Sequence, residues 1–323
     1  MTPPTSNIGD WLTATLRRSA AHALFTALGF CCTLAQATDI LFIGNSFTFA
    51  EGSAARTWHA DSVNDLNGQG IGGMPALFKA FSQQAGLNYN VSLETQGGVG
   101  IDWHLRNKAS VIGQRPWDVV VMHGYSTLDE KKPGDPAKLI SNTKHMAELL
   151  AIRNPRVDVR LLATWPRADQ TYEPTGAWYG KSIEAMGRDV RSGYDQAAAA
   201  AAPIVKGVIP VGEAWLRAMT SGMADPNPYD GIEAGKLDLW AKDHYHASRY
   251  GSYLEALVVF GAITGHDPRS LGENECAAFE LGLSTVQAAT LQKVAFDELA
   301  RQGAVKSSSP KSVQSIEPKN CVN

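Results

Sequence analysis

Short runs rich in β-branched and other apolar residues alternate with longer segments of helical spacing, and this alternation restricts the fold most. The candidate strands are residues 39–44, 89–95, 117–124, 157–165 and 204–212. The candidate helices are residues 74–86, 138–154, 182–202, 250–265 and 284–302. Apolar strands separated by helices form a parallel sheet that is covered on both faces. The pattern therefore predicts a single α/β domain.

Two long stretches interrupt this rhythm, residues 51–73 and residues 221–242. Loops of this length in a compact domain are usually functional, as lids or as walls of a binding site. We therefore expect both stretches to lie beside the site of function.

The first 37 residues differ in character from the rest. Arg17 and Arg18 precede a short, mostly apolar run that ends in Ala35-Gln36-Ala37. A basic region, a short apolar region and small residues before a cleavage point are typical of a secretory signal peptide, although an uncleaved anchor is the alternative. We expect cleavage after Ala37, a secreted or periplasmic protein without stable membrane insertion, a domain over 38–303 and a polar tail over 304–323.

Charge and cysteine content exclude some partners and favour one covalent link. The formal net charge is −3 and no basic stripe is visible, so we expect no nucleic acid as a partner. Beyond the leader only Cys276 and Cys321 remain, and in an oxidising compartment they form either one disulfide or two separate thiols. His244 and His246 are two residues apart and point to opposite sides of an extended segment. We therefore expect no metal and no cofactor.

A serine follows the first predicted strand, in the stretch Gly44-Asn45-Ser46-Phe47-Thr48. Ligands of open parallel sheets bind beyond the carboxyl ends of the strands. Ser46 is therefore either a nucleophile at such a site or, as serine often is after a strand, the N-cap of a helix.

A serine needs a base before it acts as a nucleophile, and one of the eight histidines has a suitable setting. Asp243 and His246 are three residues apart, just before an apolar helical segment. A D-x-x-H loop turns the carboxylate toward the imidazole and leaves the other ring nitrogen for a serine. The alternative is a capping cluster in which Asp243 and Ser248 bind the first amides of the helix.

Taken together, Gly44-Asn45-Ser46 and Asp243-x-x-His246 resemble the SGNH (GDSL-like) hydrolase superfamily, and more narrowly a bacterial branch with a G-N-S-[FY]-T first block. The resemblance implies a flavodoxin-like three-layer α/β/α sandwich and an esterase or lipase activity. It also implies that Ser46 is the nucleophile, His246 the general base and Asp243 its orienting acid.

The resemblance also implies an oxyanion hole. The glycine run after the second predicted strand matches the block that supplies a backbone N–H, with Gly98 the better fit and Gly100 the second choice; the alternative is a plain turn. Ser46 itself would contribute to the hole. The third block departs from the family pattern, because His123 stands where a side-chain amide is usual. His123 either donates an N–H to the oxyanion or makes a structural hydrogen bond.

Aromatic residues in the predicted loops favour a carbohydrate substrate. Trp165, Tyr172, Trp178 and Trp240 are candidates to contact sugar rings, and ordinary burial is the alternative. With export, they favour a secreted acetylesterase that acts on an acylated carbohydrate. A lysophospholipase or thioesterase is a second hypothesis, and a catalytically silent carbohydrate-binding protein on the same scaffold is a third.

Overall fold

Six strands form one sheet in residues 37–305, which are the part of the chain that the computed structural model describes. The strands are β1 (Thr38–Gly44), β2 (Asn64–Asp65), β3 (Tyr89–Thr95), β4 (Val119–Met122), β5 (Asp158–Leu162) and β6 (Val205–Ile209). Their order is β2-β3-β1-β4-β5-β6, and every neighbouring pair is parallel. Without the two-residue β2, this is the flavodoxin-like order in which the first strand lies inside the sheet.

Helices cover both faces of this sheet. They are α1 (Gly73–Gln84), α2 (Ile101–Ile112), α3 (Ala137–Arg153), α4 (Ala168–Tyr172), α5 (Ile183–Ala200), α6 (Val211–Thr220), α7 (Arg249–Thr264), α8 (Cys276–Glu280) and α9 (Thr285–Arg301). Short 3₁₀ helices occur at Ala54–Thr57, Ala60–Ser62 and Pro268–Leu271.

The alternation of side chains along β1 divides the core into two layers. Ile40 and Phe42 pack with α1, α6, α7 and α9, whereas Leu41 and Ile43 pack with α2, α3 and α5. All four side chains are fully buried, because successive residues of a central strand point to opposite faces and both faces are covered. The predicted three-layer α/β/α sandwich is confirmed.

The apolar helix that follows the D-x-x-H segment is α7, which is buried on almost every side. Ser248 caps it by accepting hydrogen bonds from the N–H groups of Tyr250 and Gly251, at 3.2 and 3.4 Å. At its other end Gly265 has a φ of 71°, in the left-handed region that glycine adopts easily. Because α7 packs between α1, α6 and α9, it provides a rigid base for the segment before it.

Four helices of the described residues were not predicted from the sequence, namely α2, α4, α6 and α8. Helix α6 starts inside a predicted strand, because Pro210 lacks an N–H for the ladder and stands at the N-cap position instead. Within residues 37–305, no helix combines the length and the hydropathy that crossing a membrane requires.

The parallel arrangement brings the ends of four strands to one edge of the sheet. β1 ends at Gly44 and β4 at Met122, so Ser46 and His123 follow neighbouring strands; β3 and β5 end in the loops over 96–100 and 163–167. The candidate site is therefore assembled from segments that are far apart in the sequence.

Candidate active site

Asn45 ties the segment around Ser46 to the two neighbouring loops. Its Nδ2 donates hydrogen bonds to the carbonyl oxygens of Val99 at 2.8 Å and Gly124 at 3.4 Å. Its Oδ1 accepts the N–H of Phe47 at 3.1 Å. One amide thus places Ser46 beside both the glycine loop and the end of β4.

The turn that carries Ser46 leaves no space for a side chain at Gly44. A Cβ atom there would lie 2.0 Å from the Thr48 Oγ1 and 2.5 Å from the His123 Nε2. Residues 46–52 form turns rather than a helix, with the N–H of Glu51 donating to the Ser46 carbonyl oxygen at 3.0 Å. Ser46 therefore caps no helix, and that alternative is wrong.

The D-x-x-H segment forms the hydrogen bonds expected of an oriented base. Asp243 Oδ1 accepts the N–H groups of Tyr245 at 3.0 Å and His246 at 2.9 Å, and Asp243 Oδ2 lies 2.6 Å from His246 Nδ1. Partial burial opposes ionisation of Asp243, but these hydrogen bonds outweigh it and lower the pKa of the carboxyl. Asp243 serves His246, whereas Ser248 alone caps α7.

This arrangement fixes which nitrogen of His246 acts as the acceptor. An ionised carboxylate only accepts, so Nδ1 carries the proton and Nε2 presents a lone pair. The Nε2 atom is buried and has no hydrogen-bond partner among residues 37–305. The ring lies 5.9 Å, between centroids, from that of Phe47, the residue next to Ser46. The structure thus brings Ser46, His246 and Asp243 into one region.

The glycine loop offers a backbone donor at the same place. Gly98 has a φ of 72°, which glycine adopts without strain, and nothing lies within 4 Å of a Cβ built on it. Gly100 instead occupies the N-cap position of α2. The hydrogen bonds of residues 37–305 leave the N–H groups of Ser46 and Gly98 without an acceptor. Both groups are therefore available to an anionic ligand.

His123 does not fit the role of an oxyanion donor. Its Nδ1 lies 2.9 Å from the Gly124 carbonyl oxygen, which only accepts, so Nδ1 carries the proton. Burial lowers the pKa of the imidazole to about 4, so the ring is neutral near pH 7 and Nε2 accepts from the Thr48 hydroxyl at 2.7 Å. Since no N–H remains for an oxyanion, His123 has the structural role that was the alternative.

The buried His123 makes the folded state sensitive to acid. Between pH 6.5 and about 4 the unfolded chain binds a proton at this residue that the folded chain excludes, so stability falls as the pH falls. We expect the free energy of unfolding of the wild type to decrease by roughly 3 kcal/mol relative to His123→Gln between pH 7 and 4. Urea titrations at a series of pH values measure this difference.

The comparison with His123→Gln matters because another buried group has the opposite effect. Burial raises the pKa of Glu275 to about 7, so its contribution to stability decreases as the pH rises from 4.5. Glu275 is present in both proteins and cancels in the difference. If the difference in free energy of unfolding between the two proteins stays constant with pH, His123 binds its proton equally in the folded and unfolded states, which would contradict the lowered pKa.

The tryptophans predicted to contact a substrate are core residues. Trp165, Trp178 and Trp240 are 0%, 3% and 1% exposed, so they present no ring face to a ligand and the prediction for them is wrong. Tyr172 is half-buried, and its hydroxyl donates to the Pro226 carbonyl oxygen at 2.8 Å. Burial of large apolar surface is the stronger effect at these positions.

Trp165 instead packs against Phe47, in the turn that carries Ser46. The Phe47 ring stacks on Trp165 at 4.0 Å, and Trp165 stacks on Trp215 at 4.6 Å, each with an interplanar angle of 5°.

Of the tyrosines near Asp243, Tyr229 is 39% exposed. The centroid of its ring lies 4.4 Å from that of His244, and its hydroxyl donates to Glu173 at 2.7 Å.

A second acid–histidine pair lies behind the glycine loop. His104 on α2 pairs through Nδ1 with Glu94 near the end of β3, and both side chains are fully buried. The other oxygen of Glu94 accepts from Asn67 Nδ2 at 3.1 Å. Asp102, two residues before His104, pairs instead with Arg106 on the surface of α2.

A cavity of about 170 Å³ opens beside the glycine loop. Gly98 and Gly124 line it beside the candidate site, and the rest of its wall is mixed: apolar side chains such as Ile101, Leu128 and Leu139 alternate with charged ones such as Asp102, Arg106 and Lys138. Sequence reasoning did not identify these residues, because they come from three separate segments. The cavity is therefore small, and its lining is both apolar and charged.

Two further expectations concern the ends of the chain and metals. Cys276 is disulfide-bonded. Cys321 and residues 1–36 of the predicted leader lie outside the described residues, and the predicted cleavage point follows the first described residue, Ala37. Within residues 37–305, no group of three or more His, Cys, Asp or Glu side chains is arranged to hold a metal ion.

Comparison with known proteins gives likenesses of structure. No protein-family model and no curated protein matches the chain. A DUF4886 family protein from Bacteroides uniformis superposes with a TM-score of 0.55 and 16% identity, over 84% of this chain and 98% of that one.

Two more distant likenesses name the resembled superfamily and one of its activities. A protein from Slackia heliotrinireducens assigned as an SGNH hydrolase gives a TM-score of 0.48 at 22% identity, over 71% of this chain and 100% of that one. An acetyl xylan esterase gives 0.47 at 16% identity, over 70% and 99%. Of the three likenesses, the first supports the architecture alone, and at that level the three-layer α/β/α fold that the resemblance implies is confirmed.

Proposed function

We propose that this protein is a serine hydrolase of ester bonds in which Ser46 is the nucleophile, His246 the general base and Asp243 the acid that orients it. The observation that carries the proposal is the state of His246. Its Nδ1 is held by Asp243, and its buried Nε2 has no partner although it lies next to the turn that carries Ser46. A buried imidazole nitrogen left unpaired is costly, and a base awaiting a serine hydroxyl accounts for it.

The reaction would follow from these positions. Ser46 Oγ attacks the ester carbonyl carbon while His246 Nε2 takes the hydroxyl proton, and the imidazolium is stabilised by Asp243. The same nitrogen then protonates the departing alcohol, which leaves an acyl group on Ser46. Water, deprotonated by His246, releases the acid and regenerates the serine.

The oxyanion of the tetrahedral intermediate needs donors that are already in place. The N–H groups of Ser46 and Gly98 are unpaired within residues 37–305, and Gly98 offers close approach because no side chain is in the way. Two backbone donors form a complete hole in other acyl-transfer enzymes, so the proposal does not require His123.

The cavity beside Gly98 and Gly124 favours a short acyl group on a polar alcohol. A volume of about 170 Å³ is small for a long alkyl chain, and the charged side chains on part of the wall would oppose burying one. Tyr229, with its hydroxyl held by Glu173 and its ring partly exposed near Asp243, offers a face for a sugar ring. We therefore propose an acetylated carbohydrate as the substrate class.

Export is part of the proposal. The leader pattern with cleavage after Ala37 supports a secreted or periplasmic enzyme, and the disulfide bond of Cys276 is consistent with an oxidising compartment.

A panel of esters tests the substrate class. We expect p-nitrophenyl acetate to be hydrolysed with a kcat/KM at least about tenfold above that of the octanoate and decanoate esters, because a long chain does not fit a cavity of this volume. Acetylated xylose and glucosamine derivatives extend the panel, with acetate release as the readout. Activity confined to long-chain esters would instead favour the lysophospholipase or thioesterase alternative.

One observation keeps a non-catalytic alternative in view. Since His123 has no free N–H, the site lacks the side-chain donor that is usual for the resembled family. If the protein binds acetylated sugars but does not hydrolyse them, and a fluorophosphonate does not label Ser46, it is a carbohydrate-binding protein on this scaffold.

A further inference from the structure

A buried arginine lies at the end of the loop that follows β5, next to the candidate site. The Arg167 guanidinium donates to Asp169 through Nε at 2.9 Å and through Nη2 at 2.5 Å. Its Nη1 donates to the Ser126 hydroxyl, in the loop after β4, at 3.0 Å. Arg167 is only 8% exposed, so the fold buries a charged side chain at this position.

The flat face of this guanidinium begins a stack of rings that ends at His246. The Arg167 Cζ lies 3.6 Å from the centroid of Tyr245, and the Tyr245 ring lies 3.9 Å from that of His246. A cation over an aromatic face is attracted by the ring quadrupole, more strongly where water is excluded. Tyr245 is therefore held between Arg167 and the imidazole.

The same loop holds the backbone on both sides of Tyr245. The N–H of Asp169 donates to the His244 carbonyl oxygen at 3.3 Å, and Trp165 Nε1 donates to the Tyr245 carbonyl oxygen at 3.2 Å. Residues 165–169 thus fix both the main chain and the ring that precede His246.

The hydrogen bonds of Arg167 argue against direct recognition of an anionic substrate. Its charge is balanced by Asp169, and three of its nitrogens already donate within the protein. A group that binds a substrate carboxylate would need exposed and unpaired donors.

We propose that Arg167 is a positioning residue for the base: through Tyr245, it holds the imidazole of His246 in the orientation that proton transfer from Ser46 requires. The inference rests on the proposed function, since it takes His246 to be the base. Small displacements of a reacting group cost up to about a hundredfold in rate, which gives the scale of the expected effect.

The chain contains a matched control for this arrangement. Arg269 pairs with Asp267 through Nε at 3.0 Å and Nη2 at 2.7 Å, and its Cζ lies 3.4 Å from the centroid of Phe296 on α9. The pair has the same chemistry, with a two-residue separation and an aromatic partner. It belongs to the 3₁₀ helix after α7 and touches none of the candidate site residues.

The test compares kcat and KM of Arg167→Met and Arg269→Met with p-nitrophenyl acetate. We expect Arg167→Met to lower kcat about 10- to 100-fold with KM changed less than about threefold, and Arg269→Met to leave both within about twofold. Tyr245→Phe should retain kcat, whereas Tyr245→Leu should lose it as Arg167→Met does. An equal loss in both arginine variants, or a rise in KM that accounts for the loss, would overturn the proposal.

Arg167→Met leaves Asp169 without its cationic partner, so the double variant Arg167→Met/Asp169→Asn provides a second route if the single variant folds poorly. A readout independent of catalysis is the ¹H NMR signal of the His246 ring, which is shifted by the Tyr245 ring current. We expect this signal to move in both Arg167 variants and not in Arg269→Met. An unmoved signal would contradict the positioning role, whereas a wild type without esterase activity would contradict the proposed function.

Discussion

Replacing Ser46 by alanine is expected to reduce the hydrolysis of p-nitrophenyl acetate by at least about a thousandfold, because the proposed acyl-enzyme has no other nucleophile at the site. The residual rate would come from binding and from the backbone donors alone. Initial rates of the purified wild type and the Ser46→Ala variant measure this effect. Equal rates in the two proteins would remove Ser46 from the mechanism.

A neighbouring serine provides the control for this experiment. Ser53 follows in the same chain segment, where its side chain accepts the N–H of Ala55 at 3.2 Å at the start of a 3₁₀ helix. Ser53→Ala should keep its activity within about twofold, since the hydroxyl serves only a cap. A fluorophosphonate should label the wild type and Ser53→Ala but not Ser46→Ala. Loss of labelling in His246→Ala would identify the base.

The second large effect concerns stability and the buried pair of Glu94 and His104. Replacing His104 by leucine leaves the Glu94 carboxyl buried with Asn67 as its remaining partner. We expect the free energy of unfolding to decrease by about 3 kcal/mol, because a buried polar group that loses its hydrogen-bond partner is costly. Urea denaturation measures it.

Two further variants test the interaction of the pair. In Glu94→Leu/His104→Leu no buried carboxyl is left without its partner, so much of the loss should be recovered. The control is Arg106→Ala on the same helix, which breaks the exposed pair with Asp102 and should cost less than about 1 kcal/mol. If the loss in the double variant equals the sum of the losses in Glu94→Leu and His104→Leu, Glu94 and His104 do not interact.

The central strands and the long helices could be predicted because they depend on local patterns. The apolar residues of β1 and the spacing in α3, α5, α7 and α9 are visible in short windows of sequence, and the structure places these elements within a few residues of the prediction. The D-x-x-H arrangement is also local, since a three-residue separation lets Asp243 reach His246 within one turn.

The role of His123 could not be predicted because its protonation depends on atoms that only the fold brings near. The Gly124 carbonyl oxygen determines which nitrogen carries the proton, and Thr48, from a different strand end, occupies the other nitrogen. No pattern in the sequence reports either contact.

The same limit applies to the tryptophans and to Arg167. A large aromatic residue in an irregular segment is compatible with both burial and exposure, and here the stack beneath Phe47 decides for burial. Arg167 has no sequence signature either, because Ser126 and Tyr245, two of its three partners, are far from it in the sequence. A buried charge of this kind becomes visible only from the assembled site.

The three consecutive residues Gly44, Asn45 and Ser46 meet three different physical requirements. Gly44 is required by space, since Thr48 and His123 fill the volume of its missing Cβ. Asn45 is required by polarity, because the groups facing its Nδ2 are carbonyl oxygens, which only accept hydrogen bonds. Aspartate has the same shape, but its carboxylate oxygens also only accept and would repel these carbonyl oxygens. Ser46 is the residue proposed for the chemistry. A search for proteins with the same proposed reaction that weighs the three positions equally would therefore reject a chain that has the serine but a different residue in place of Asn45.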